Sequence, residues 1–297
     1  MPELPDVTLY VEALQRRIVG KPLKRVSIRS PFLVRSVAPD VFSAEGCCVD
    51  DVFRIGKRIV WKFEGDLYLV FHLMIAGRFH LKTRDYRPRG KNDVAVFGFD
   101  DFALALTEAS PKKRASLHAV EGEEDLNEFR RGGLEVFEAT LDQFKSALTQ
   151  SNRTLKRALT TPAAFSGIGN AYSDEILHAA RLSPLKRTGQ LSDEEIQRLY
   201  AACQETLHHW TDKLRREAGD NFPERVTAFR DEMAVHGKFG QPCPDCDTSI
   251  QRIRYAENEV NYCPRCQTGG KMLADRSLSR LLHDDWPKTI EEWEDPS

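Results

Sequence analysis

The sequence predicts an α+β protein of several domains. An N-terminal helix leads into an antiparallel β-sandwich or barrel, a helical domain follows, and a small ribbon built around four cysteines comes last. Three observations predict this. Short β-rich runs fill residues 23 to 120, separated by Gly-Asp, Asp-Asp and Pro-Arg-Gly turn signals. From about 138 to 232 the pattern is helical. Near the C-terminal end two Cys-x2-Cys pairs stand sixteen residues apart.

In chain order, Val7, Val11, Leu14 and Ile18 recur at helical spacing, so a helix is expected over 5–19, with Gly20 as its stop. Strands are expected at Leu23 to Ile28, Arg58 to Phe63, Leu67 to Leu73, Val94 to Phe99 and Ala103 to Thr107. Residues 121–133, charged and glycine-bearing, are expected to be a linker. Helices are expected at 140–150, 153–160, 170–181, 192–216 and 223–234, the fourth opening on the capping-box-like Ser192-Asp193-Glu194-Glu195. The ribbon spans 235–268, its hairpin within Ile250 to Tyr262. A tail over 269–297 carries one amphipathic helix, near 273–283, and an acidic end. The expected domains are therefore 1–122, 134–234, 235–268 and the tail.

Composition sets the classes. Of 297 residues 41% are apolar, enough for packed cores. The longest apolar stretch, Leu67 to Leu73, is strand-sized and far short of the roughly 20 residues that span a bilayer. No secretory signal is visible, so the expected location is cytoplasmic, on the nucleoid if the source is bacterial. The net charge of −2 and pI near 6.5 give no overall basic excess, so any nucleic-acid binding must come from a locally basic face.

Cys47, Cys48 and Cys203 are scattered. Cys243-Pro-Asp-Cys246 and Cys263-Pro-Arg-Cys266 instead give four thiolates at a spacing that suits tetrahedral zinc, two on each of two tight turns. Four protein ligands leave no open position, so one Zn2+ with a structural role is expected.

Four segments, in order, carry a resemblance. They are Pro2-Glu3-Leu4-Pro5-Asp6-Val7, then Gly56-Lys57-Arg58 with His72-Leu73, then Gly167-Ile168-Gly169-Asn170, and last Val235-His236-Gly237-Lys238-Phe239-Gly240 running into the cysteines. Together they resemble the formamidopyrimidine-DNA glycosylase / endonuclease VIII family over about residues 1 to 268. The resemblance implies a β-sandwich, a helix–two-turn–helix domain and a zinc ribbon. It implies a monomer acting on damaged DNA, with no nucleotide cofactor: a base-excision glycosylase for damaged, oxidised bases, with β-elimination lyase activity. Pro2, freed of Met1, would attack the sugar and form a Schiff base, Glu3 would supply the proton and Lys57 would assist. Gly169, Asn170 and Lys238 would contact DNA. A non-cleaving protein of the same fold that binds damaged or single-stranded DNA is the alternative.

The chain also departs from the family pattern. Asp6 replaces a glutamate. His72-Leu73-Met74-Ile75-Ala76-Gly77 stands for H-L-G-M-S-G, so either Met74 or Ile75 fills the place of the flipped base. The 109–117 loop keeps Lys113 and Arg114 but no aromatic residue, which should alter opposite-base readout. Asn258, between Glu257 and Glu259, takes the place of a phosphate-binding arginine and puts the second elimination step in question. The short stretch before Val235 favours lesions other than oxidised purines. Trp286 and Trp293 in the acidic tail suggest a docking segment whose partner the sequence does not name.

Overall fold

A computed structural model describes residues 1–224, 226–255, 258–274 and 287–294. The chain forms two compact units, Met1–Arg131 with Trp210–Ala228, and Gly132–His209 with Phe229–Ser297.

The first unit opens on helix α1 (Leu4–Ile18). Its buried face, with Val7, Tyr10, Val11, Leu14 and Ile18, joins the main core, and Gly20 turns the chain away at φ +77°. Eight strands follow: β1 (Arg25–Ile28), β2 (Val49–Ile55), β3 (Arg58–Phe63), β4 (Leu67–His72), β5 (Gly77–Thr83), β6 (Asp93–Gly98), β7 (Phe102–Glu108) and β8 (Ser116–Glu121). They make two antiparallel sheets, ordered β1-β6-β7-β5 and β2-β3-β4-β8. Aromatic rings from both sheets meet between them. The Trp61 ring lies 4.7 Å from Phe71, 5.2 Å from Phe97 and 5.8 Å from Phe79. This is the sandwich the β-rich runs predict.

The second sheet is apolar on both faces. Ile59, Trp61, Leu69 and Phe71 face the main core, while Val60, Tyr68, Val70 and Val120 pack under Leu126 and Phe129 on the outside. That two-sided burial hides the alternation that marks a half-buried strand. The cover includes helix α2 (Gly122–Asn127), so the expected linker is partly helical.

The second unit begins with α3 (Leu141–Thr149), α4 (Leu155–Thr160), α5 (Asn170–Ala179) and the long α6 (Asp193–Ala218), whose last turns belong with the sandwich. No helix forms over the described part of 223–234, contrary to expectation. Phe222 and Val226 are buried in the sandwich core, and the Glu224 carboxylate accepts the Leu81 N–H and pairs with His80. These anchors hold the segment open where a helix would have bonded to itself.

The ribbon hairpin pairs β9 (Gln251–Tyr255) with β10 (Asn258–Tyr262) and is followed by α7 (Pro264–Thr268). The expected tail helix lies almost wholly outside the described residues. The acidic end instead carries a short helix, α8 (Ile290–Glu294). It is tied back to the ribbon by the Ile290 N–H on the Gly270 carbonyl at 2.9 Å, and Ile290 is fully buried. No helix among the described residues is long and apolar enough to cross a membrane.

Candidate active site and zinc centre

Glu3 is the N-cap of α1, with extended backbone, and Pro5 falls in the first turn, where a missing N–H costs nothing. The Asp6 carboxylate reaches back and accepts the Glu3 N–H at 2.9 Å. A shorter acid therefore serves this cap. Pro2 is buried and Glu3 is 2% exposed.

The chain start is electrostatically poised. The Met1 amino group titrates below the ordinary value, first because it is buried; Glu3 opposes the shift, Arg78 adds to it, Asp6 opposes it and Lys57 adds to it. The two acids, Lys57 and Arg78 thus act on the same terminal amine. Lys57 gets there because Gly56, at φ +59°, and Lys57 form the two-residue turn joining β2 to β3. Arg78 was not singled out from the sequence. Its guanidinium donates to the Ile75 and Gly77 carbonyls, at 3.2 and 2.6 Å, bracing the 73–77 loop from below.

That loop separates the two candidates for the void left by a flipped base. Met74 takes φ +52°, the left-handed backbone that a glycine at this position would adopt freely. The Gly77 N–H closes the turn on the Leu73 carbonyl at 2.8 Å, and a Cβ at 77 would lie 2.3 Å from that oxygen. Ile75 is carried outward, 57% exposed, while Met74 is half-buried. His72 anchors the loop, its Nδ1 accepting the Met74 N–H at 3.2 Å.

In the 109–115 loop the buried Glu108 carboxylate accepts the Arg114 and Ala115 N–H groups at 2.7 and 3.1 Å. The Lys113 ammonium folds back onto the Glu108 carbonyl, so this lysine braces the loop.

In the second unit Gly169 caps α5 and Asn170 is its first residue. Asn170 Nδ2 donates to the Glu259 carbonyl of β10 at 2.8 Å, and Lys156 Nζ donates to the Asn170 carbonyl at 2.6 Å. The helix start is thereby fastened to the ribbon. The same lysine meets Asp174 at 2.5 Å, and Asp174 also accepts from His236 Nδ1 at 2.8 Å and from the Asn261 N–H at 3.2 Å. Glu175 accepts the N–H groups of Ala234, Val235 and His236 at 2.7–2.9 Å. Lys238 sits in the turn that follows, its N–H on the Val235 carbonyl at 3.1 Å. Glu259 of β10 stands 3.6 Å from Arg252 on β9. Asn258 itself opens β10 opposite Tyr255, and Ala256 and Glu257 lie outside the described residues.

The four cysteines converge. Their sulfurs lie within 4.8 Å of one another, with Cys243–Cys266 at 3.9 Å and Cys246–Cys263 at 3.4 Å. A tetrahedral ion with Zn–S bonds near 2.3 Å needs sulfurs about 3.8 Å apart, so the set fits zinc. One turn is held by the Asp247 N–H on the Cys243 carbonyl at 2.9 Å, the other by the Cys266 N–H on Cys263 Sγ at 3.4 Å. His178 Nε2 lies 3.3 Å from Cys243 Sγ, outside the four-sulfur set. Cys243, Cys246, Cys263 and Cys266 hold one zinc ion, and its role is structural.

Known proteins bear this architecture out. The chain matches the formamidopyrimidine-DNA glycosylase N-terminal domain over residues 1–114, the H2TH domain of that glycosylase over 135–213, and the zinc finger found in FPG and IleRS over 240–269. It is 31% identical to the formamidopyrimidine-DNA glycosylase of Symbiobacterium thermophilum, covering 90% of this chain and 89% of that protein. Among solved structures, Lactococcus lactis Fpg in complex with DNA containing an abasic site superposes with a TM-score of 0.79 at 27% identity, over 90% of this chain and 99% of that one. MutM in complex with DNA containing carbocyclic 8-oxo-G gives 0.78 at 27%, over 90% and 100%.

Proposed function

The chain belongs to the formamidopyrimidine-DNA glycosylase family, and from that premise we propose that it excises damaged bases from DNA with Pro2 as nucleophile and then cuts the strand by β-elimination. The observation that carries the proposal is the buried chain start, where Pro2 and Glu3 lie at the head of α1, next to the Met1 amine on which both Lys57 and Arg78 act.

Chemistry at this site requires removal of Met1, which leaves Pro2 with a secondary amine. The nitrogen lone pair attacks the sugar C1′, the C1′–N bond to the damaged base breaks, and the base departs with the bonding electrons and takes up a proton. Glu3 donates a proton to the ring oxygen as the sugar opens, leaving an iminium ion between Pro2 and C1′. Loss of a C2′ proton then expels the 3′ phosphate, and water releases the shortened sugar from Pro2. Lys57, at its turn, neutralises a backbone phosphate. Asn170 offers the start of α5, whose free N–H groups favour phosphate. Ile75 is the exposed apolar side chain suited to the space that the flipped nucleotide leaves.

The test is borohydride reduction on lesion-bearing duplexes. Wild type should form a covalent adduct. Pro2→Gly should lower its yield at least tenfold, and Glu3→Gln should suppress base release while still permitting trapping at preformed abasic sites. Equal trapping by Pro2→Gly and wild type would remove Pro2 from the mechanism.

A further inference from the structure

The outer face of the second sheet ends in a group of basic side chains that the proposed reaction does not use. Arg58 of β3 pairs in register with His72 of β4, and His72 with Ser116 of β8, so the three form one row across the sheet. His118, two residues beyond Ser116, shares their face. Phe129, the edge of the outer apolar cover, closes the patch on one side: the Arg58 guanidinium lies over its ring at 5.5 Å and the His118 ring meets it edge-on at 5.0 Å. Val34 bridges to Leu117, and the Arg35 N–H donates to the Leu117 carbonyl at 2.9 Å, which sets Arg35 beside β8.

The neighbouring charges that act most on Arg58, His72 and His118 are cations, while Glu123 of α2 pairs with Arg130 and accepts from the Tyr68 hydroxyl. Burial and then Arg131 hold Arg58 below its ordinary pKa. His118 is lowered by burial, then Arg58 and Arg35. His72 is pushed down to about 4 by burial, then Arg58, Lys57 and His118. Half-buried cations grouped with one another are costly unless an anion completes the group. The donors suit an oxyanion: a guanidinium over an aromatic ring, a serine hydroxyl, and an imidazole, His118, that an anion would help to protonate.

We propose that Arg58, Ser116 and His118, with Arg131 and Arg35 at the rim, form a second phosphodiester site that carries the DNA backbone beyond Lys57. It rests on the DNA-repair function proposed above, because the occupant is taken to be the same duplex; Lys57 and Arg58 are neighbours in the chain and lead the backbone from one site to the next. The bound phosphate would draw a proton onto His118, so affinity should rise as pH falls.

The experiment is anisotropy of a labelled undamaged duplex, and of the same duplex carrying an abasic analogue, titrated across a range of salt. Each phosphate contact contributes about 0.9 to the slope of log affinity against log salt. Arg58→Gln and Arg131→Gln should each lower that slope by about this amount on both duplexes, and Arg58→Lys should restore most of it. His118→Asn should flatten the gain in affinity between about pH 7.5 and pH 5.5. Arg131 is exposed, so its variant does not depend on refolding a core. Unchanged slopes for both glutamine variants would overturn the site. So would loss of competition by inorganic phosphate in Arg58→Gln while its duplex slope stays at the wild-type value, which would make the patch a site for free phosphate only. Should the duplex slopes fall as predicted while borohydride never traps an adduct, the phosphodiester site stands and the catalytic proposal fails.

Discussion

Met74 holds a backbone conformation that disfavours its own side chain. A left-handed residue with a Cβ costs about 1–2 kcal/mol, so Met74→Gly should stabilise the protein by about 0.5–1 kcal/mol after the added chain entropy of glycine, read from urea melts. A loss of 1 kcal/mol would show that Met74 packs in a way that outweighs its strain. The second prediction at this scale concerns Arg78. With Met1 in place, burial first and then Arg78 hold the terminal amine below its ordinary value; the same surroundings acting on the Pro2 amine exposed by loss of Met1 should set the pH at which trapping reaches half its plateau below the ordinary value near ~8. Arg78→Gln should move that midpoint upward; a fixed midpoint with a lower plateau would restrict Arg78 to bracing the loop. Pro2, Glu3 and Lys57 could be proposed from the sequence because their motifs are local. Arg78 could not, because its meaning arises only when β5 returns beside α1. Met74 and Ile75 could be separated only once the sign of φ at 74 was known.

Among the elements, α5 does more than offer the proposed phosphate contact. Through Asp174 and Glu175 it holds the 234–236 segment, the β10 backbone and Lys156 together. Glu175→Ala would leave three N–H groups without their acceptor, two of them in buried residues, at a cost of about 3 kcal/mol or more, measurable by denaturant unfolding of the zinc-loaded protein. A change below 1 kcal/mol would mean that other acceptors replace it. The helices α1, α3, α5 and α6 were legible in the sequence, α1 from its apolar periodicity and α6 from the acids that follow Ser192. Two strands were not. The burial along β2, Val49 to Ile55, follows no simple alternation, and β8 mixes Ser116 and His118 with its apolar residues, whereas β5 does alternate, Arg78, His80 and Lys82 with Phe79 and Leu81 between them, and its signal was there to be read. The helix expected at 223–234 failed for the opposite reason: local propensity was overridden by the burial of Phe222 and Val226.

At the scale of the molecule, zinc belongs to one unit and the proposed nucleophile to the other. Every zinc ligand lies within Phe229–Ser297, whereas Pro2, Glu3 and Lys57 lie within Met1–Arg131. Chelation should therefore release the ribbon and the start of α5 while leaving the sandwich folded. Amide hydrogen exchange should show faster exchange over residues 240–269 and unchanged protection in β3, β4 and β7; uniform loss of protection would make zinc a determinant of the whole fold. The order of the domains was legible because each carries its own signature: β runs, helical periodicity, paired cysteines. The division inside α6 was not, since the helix runs unbroken through it. The most direct test of the central claim is mass spectrometry of the borohydride-reduced complex with lesion DNA. The proposed chemistry predicts a peptide beginning at Pro2, without Met1, with the reduced sugar on its terminal nitrogen; a peptide that still begins at Met1, or a sugar attached to Lys57 or another lysine, would contradict it.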